Sequence, residues 1–189
     1  MHKGLTGVLA GAAALVAVGL AGEARGEAVT VIGGGMAEAC SKAALDGEAD
    51  LRFEKLCSQA LETELLSPRD RAGTYVNRGV MKLRRMSWDT AIADFNQAIR
   101  IQPDLGEAYV NRGAAAIGGR RYADSLADLN RGLELGVDEP AKAYYNRALA
   151  HEGLDDPKSA YFDYQKAIEL SPEWGLPREQ LTRFTVTRR

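Results

Sequence analysis

Along most of this chain apolar residues recur three and four positions apart rather than in alternation. Ala91, Ile92, Phe95, Ala98 and Ile99 form one such stripe, the spacing that puts side chains on one face of an α-helix. Ser87 precedes it and Asp89 stands in its first turn, a polar start that serves the free N–H groups of a helix. Further on, Asp156 precedes Pro157; proline at a first helical position gives up an N–H that has no helical partner there. Pro103 and Pro172 close helices, and Gly118-Gly119 and Gly153 are expected to end others.

The pattern is periodic. Tyr75-Val76-Asn77-Arg78-Gly79 returns as Tyr109-Val110-Asn111-Arg112-Gly113 and as Tyr144-Tyr145-Asn146-Arg147-Ala148, at spacings of 34 and 35. A second block keeps step: Ala91 through Ile99, Ser125 through Leu133, Ala160 through Ile168. The third copy's extra residue falls between Asn130 and Lys142, where Gly136 and Pro140 bracket a turn. Each copy reads helix, tight turn, helix, loop.

Counted from Ala72, Gly106 and Ala141, the fourth place is Tyr75, Tyr109 and Tyr144. The eighth is Gly79, Gly113 and Ala148, the twentieth Ala91, Ser125 and Ala160, and the twenty-fourth Phe95, Leu129 and Tyr164. This register of small and bulky places, at this period, resembles the tetratricopeptide repeat family. The resemblance covers residues 72–174 and departs from the family at marked places. Arg replaces the usual Leu at place seven, place eleven holds Lys82, Ala116 and His151 instead of an aromatic, and Gly132 and Val137 replace Ala and Pro. The implied fold is all-α, an α-solenoid with copies at 72–105, 106–140 and 141–174.

The flanks follow. Residues 36–71 read as a degenerate helical hairpin turning at Asp46–Asp50, with Asp50 capping a helix that carries Leu51, Leu56, Cys57, Ala60, Leu61 and Leu65. Residues 175–189 read as a capping helix presenting Leu181 and Phe184, then a loose tail from Thr185; solenoid ends need atypical units to cover their apolar faces. At the other end Lys3 precedes an uncharged run over residues 4–21, followed by small residues up to Ala24 and Ala28. That is the layout of a secretory signal peptide over residues 1–28, cleaved after Ala24 or Ala28. Residues 29–35, ending in Gly33-Gly34-Gly35, read as a flexible tether.

Composition narrows the function. Lys plus Arg number 24 against 26 for Asp plus Glu, a net charge of −2, which argues against nucleic acid as partner. With two His and two Cys the chain offers no metal site and no cofactor motif, and an enzyme is not expected. His151 is read as an ordinary helix residue, Trp88 and Trp174 as packing residues. Cys40 and Cys57 lie symmetrically about the Asp46–Asp50 turn. In an antiparallel hairpin they meet, and a secreted chain keeps a disulfide oxidised. Arg78, Arg112 and Arg147 recur in phase with Asp94, Asp128 and Asp163; a charge at a helix-packing place requires a partner, so structural Arg–Asp pairs are expected. An anion-binding Arg ladder is the functional alternative.

The resemblance implies a right-handed superhelix whose inner surface holds a peptide or protein partner, without catalysis. By that resemblance place six faces inward, and here it is Asn77, Asn111 and Asn146. Asn is a mediocre helix former whose amide both donates and accepts, so the expectation is an Asn ladder gripping an extended peptide. Val76, Val110 and Tyr145 are expected beside it, with Lys142 and Arg84 as the groove's cations. A C-terminal-carboxylate clamp is a lesser alternative: Asn111 and Lys142 fit it, but Val76, Val80 and Asn146 stand where it needs Lys, Asn and Arg. The other alternative is an accessory subunit docking on an envelope complex by its convex face. The expected place is the periplasm, with no membrane anchor after signal cleavage, and homo-oligomerisation through the end units stays open.

Overall fold

A computed structural model describes residues 5–7, 26–31, 35–184 and 186–188. Most of the expected signal peptide lies outside these residues. Among them run nine helices: α1 (Met36–Leu45), α2 (Leu51–Thr63), α3 (Pro68–Arg84), α4 (Trp88–Ile101), α5 (Gly106–Gly118), α6 (Tyr122–Leu135), α7 (Pro140–Gly153), α8 (Pro157–Leu170) and α9 (Gly175–Leu181). Two three-residue strands, β1 (Leu5–Gly7) and β2 (Val186–Arg188), pair antiparallel with Thr6 opposite Thr187. The end of the chain, expected to be loose, is thus paired at Val186–Arg188.

Each helix packs on its neighbour in sequence, and the first helices of successive copies, α3, α5 and α7, also touch one another. The fold is an α-solenoid. Its core repeats through the small and bulky places: Phe95, Leu129 and Tyr164 are fully buried against Gly79, Gly113 and Ala148. A Cβ at Gly79 would lie 2.5 Å from the Phe95 ring, so only glycine lets α3 and α4 cross this closely. Burying one such aromatic contributes roughly 1.5–3 kcal/mol. Trp88 lies against Gly118 and Tyr122 against Gly153 in the same manner, one copy's outer helix on the next copy's inner one.

Local signals set the helix ends, with corrections. Ser67 caps α3 by accepting from the Asp70 N–H, with Pro68 in the first turn, so the first copy's helix begins four residues before Ala72. Asp50 caps α2 and Asp156 caps α8. Leu51 and Leu65, assigned to the apolar side of α2, are exposed instead. The residue that turns each first helix into its second is not glycine. Met86, Arg120 and Asp155 hold φ of 59°, 58° and 59°. In each turn the following N–H reaches back to a carbonyl of the helix, Ser87 to Lys82, Arg121 to Ala116 and Asp156 to His151. These bonds satisfy carbonyls that a helix end leaves orphaned, which offsets the strain of a left-handed residue.

Cys40 and Cys57 are joined in a disulfide with Cα atoms 5.0 Å apart. Both are fully buried beside Met81 of α3, so the bridge ties α1 to α2 under the first copy. Arg71 adds a hydrogen bond to the Leu61 carbonyl.

Candidate functional site

The in-phase charges form three equivalent junctions on the seams between copies. Arg112 donates from Nε and Nη2 to the two carboxylate oxygens of Asp128 at 2.8 and 2.6 Å. Arg78 does the same to Asp94 at 2.9 and 2.7 Å, and Arg147 to Asp163 at 2.8 and 2.7 Å. The third nitrogen of each guanidinium reaches the preceding helix pair: Arg78 to Ser58, Arg112 to Asn96, Arg147 to Asn130. Each ring at place four, Tyr75, Tyr109 or Tyr144, lies under its arginine at 5.0–5.5 Å. One Arg at place seven therefore joins three helices, which a Leu could do only by packing. Hydrogen bonding to Asp128 and to Asp163 holds Arg112 and Arg147 above the usual guanidinium range, against the pull of burial. Place eleven joins in: Lys82 donates to Asp94 at 2.7 Å, and His151 Nε2 stands 3.8 Å from Asp163. With all three nitrogens of each guanidinium engaged, these arginines do not form an open anion ladder.

One place earlier on the same helices Asn77, Asn111 and Asn146 are buried, at 0%, 0% and 1% exposure. What covers the first two is the chain's own extended segment over residues 26–31. The Val29 N–H donates to Asn77 Oδ1 at 2.8 Å, and Asn77 Nδ2 donates back to the Val29 carbonyl at 2.8 Å. Asn111 repeats both bonds on Glu27, again at 2.8 Å each. Each amide thus mimics the edge of a β-strand, reading every second residue of an extended backbone. The segment runs against the order of the copies. Ser41 of α1 extends the pairing: its hydroxyl accepts from the Val31 N–H at 3.1 Å and donates to the Val29 carbonyl at 2.9 Å. Val29–Val31, read in the sequence as part of a tether, are instead packed against Gly73 of α3. Four side-chain bonds and apolar contact offset the freedom such a short stretch surrenders.

Glu27 is 4% exposed, and neither carboxylate oxygen has a hydrogen-bond partner among the described residues. Burial pushes its carboxyl up to about 8, with Glu139, Glu107 and Asp138 adding to the rise and Lys142 opposing it. Asn146 also keeps a buried Nδ2 without a partner among the described residues.

The remaining expected groove residues lie elsewhere. Val76, Val110 and Tyr145 are fully or almost fully buried inside the helix seams rather than beside the ladder. Tyr145 packs its ring 5.5 Å from Tyr164 and 4.9 Å from Trp174. Place five turns away from the concave surface because the inner helices press on one another there. The apolar wall that does face the segment is Val80 and Leu83, whose side chains stand over Gly26. Arg84 donates to the Glu48 carbonyl in the α1–α2 turn at 3.0 Å, and Lys142 pairs with Glu139. Sequence reasoning missed Ser41, Leu83 and Glu27. Leu83 could have been found from its spacing of three from Val80; Ser41 and Glu27 carry no periodic signal.

Comparison with known proteins comes down to fold. Residues 141–173 match the model of the tetratricopeptide repeat. No curated protein matches the chain. Among solved structures, the chain resembles the TPR domain of Arabidopsis OM64, with TM-score 0.58 and 21% identity over 62% of this chain and 96% of that one. The first TPR domain of human RPAP3 gives TM-score 0.58 and 23% identity, covering 62% and 91%. MamA from Desulfovibrio magneticus RS-1 gives 0.62 and 19%, covering 78% and 82%. Residues 141–173 accordingly match a tetratricopeptide repeat, and the chain shares its α-solenoid fold with solved TPR domains.

Proposed function

We propose that this chain is a non-enzymatic protein-interaction scaffold whose concave groove holds an extended peptide segment by its backbone. The observation that carries the reading is the paired donor and acceptor bonding of Asn77 to Val29 and of Asn111 to Glu27. Side-chain amides that replace a neighbouring strand recognise extended chain whatever its side chains, as strand addition does. Two such stations supply about 1 kcal/mol per hydrogen bond. The start of the sequence supports a secreted protein acting in the periplasm, cleaved after Ala24 rather than Ala28 so that residues 26–31 stay on the chain, and there the Cys40–Cys57 bridge would stay oxidised.

Changing Asn77, Asn111 and Asn146 together to Ala tests the groove. Capture of partner proteins from a periplasmic extract by the full chain is expected to be lost, while helicity and melting of the remaining solenoid are kept. Capture that survives the triple change moves the site to the convex face or the ends and refutes the reading.

A further inference from the structure

Residues 26–31 fill the groove with a pattern that its walls enforce. At Gly26 a Cβ would stand 2.9 Å from Asn111 Oδ1 and 3.0 Å from both Leu83 Cδ2 and Val80 Cγ2, all on buried side chains. One residue on, Glu27 is enclosed with its carboxylate unpaired among the described residues, near Asp138 and Glu139 of the loop between α6 and α7, Lys142 of α7 and Glu107 of α5. Three acids against one lysine make this a station for an uncharged side chain. Ala28 packs beside the disulfide. Val29 and Val31 straddle Gly73, whose own Cβ would lie 3.2 and 3.1 Å from their methyl groups. Thr30 points to solvent. The pairing advances two residues per copy, from Val29 on Asn77 to Glu27 on Asn111, and the same step leads on to the buried Nδ2 of Asn146, which has no partner among the described residues.

We propose that residues 26–31 are a tethered stand-in for the groove's ligand. The partner is an extended segment bearing glycine, an uncharged residue, a small residue, a β-branched residue, any residue and a second β-branched residue, in that order. It binds by displacing the chain's own copy of the pattern, and two further residues at its N-terminal end carry it to Asn146. This rests on the groove reading above and adds the register and the competition. Because the site is free only while the segment is out, apparent affinity falls by the fraction of open molecules. A segment docked nine-tenths of the time costs a ligand about tenfold.

The probe is a fluorescein-labelled octapeptide, ARGQAVTV, titrated into the full chain and followed by anisotropy. It copies residues 24–31 with Gln replacing Glu27. In the Gly26→Val variant the chain's own segment cannot seat. Val31→Asp expels it independently, so a folding defect in one leaves the other. Both variants are expected to bind the peptide at least tenfold more tightly than the unchanged chain. The peptide with Val in place of its Gly is expected not to bind. Equal affinity for the unchanged chain and both variants overturns the competition, and equal affinity of the Val-containing peptide overturns the register. If the peptide binds none of the three proteins, the proposal fails outright. The groove reading then stands or falls separately on the triple Asn change.

Discussion

The burial of Glu27 turns docking of residues 26–31 into a quantity that pH controls. Burial pushes its carboxyl up to about 8 when the segment is seated, against an ordinary 4.5. The docked state therefore holds a proton that the released segment gives up. Seating is unpenalised below about pH 4.5, weakens as pH rises through 8, and levels off beyond. The penalty is on the order of 3 kcal/mol at pH 7 and about 5 kcal/mol above pH 8. Against it stand four hydrogen bonds to Asn77 and Asn111 and two to Ser41, about 1 kcal/mol each, and the burial of Val31 and part of Val29, about 2 kcal/mol more. The balance is close once the ordering entropy of the segment is counted, so the seat should open within the alkaline range. Glu27→Gln removes the ionisation but leaves a buried amide, whose cost of about 1–3 kcal/mol does not vary with pH. Hydrogen exchange at the backbone amides of positions 27 and 29, corrected for intrinsic rate, is the assay, because both N–H groups donate to the ladder. Protection in the unchanged chain is expected to fall at least tenfold between pH 5 and pH 8.5, whereas E27Q stays level and exceeds it at the alkaline end. Protection that is flat from pH 5 to 9 in the unchanged chain, or that falls in parallel in both proteins, refutes the reasoning.

Three further outcomes are expected. Asp128→Ala strands the Arg112 guanidinium, whose side chain is 26% exposed. Urea denaturation should show a loss of about 2 kcal/mol, less than a fully buried pair because solvent reaches part of it; replacing both partners by Leu should restore more than half, and a loss under about 0.5 kcal/mol contradicts the junction. Replacing Cys40 and Cys57 by Ser should lower the stability of the α1–α2 hairpin by about 3 kcal/mol, and two free thiols titrating in the unreduced native chain would contradict the bridge. At Gly132 a Cβ would stand 2.6 Å from Val110 Cγ2 and 3.0 Å from the Gly106 carbonyl oxygen, so Gly132→Ala should destabilise by roughly 1–3 kcal/mol despite alanine's better helix propensity; an unchanged or raised melting temperature would show that the helices can move apart.

Much of this architecture was legible because it is made of local, repeated relations. The 3-4-3 stripes settle which residues are helical, and the returns at 34 and 35 settle which helices are alike. Since Arg and Asp recur sixteen apart in every copy, their meeting needs only one helix hairpin, and the same holds for Cys40 and Cys57 across their turn. Finer rotation was not legible. Val76, Val110 and Tyr145 sit one place before the ladder, and only the packing of α3, α5 and α7 on one another decides that place five is core while place six is groove. Nor could glycine counting find Met86, Arg120 and Asp155 as the left-handed turn residues, since hydrogen bonds formed after the turn closes hold them there. The groove's occupant is the furthest from the sequence. Val29 meets Asn77 and Glu27 meets Asn111 across 48 and 84 residues, through backbone bonds that leave almost no mark on side-chain pattern. The sequence by itself determined a ladder of asparagines. The tertiary structure decided that residues 26–31 lie on it, because a backbone-reading site selects by shape and reach, which exist only once the solenoid is folded.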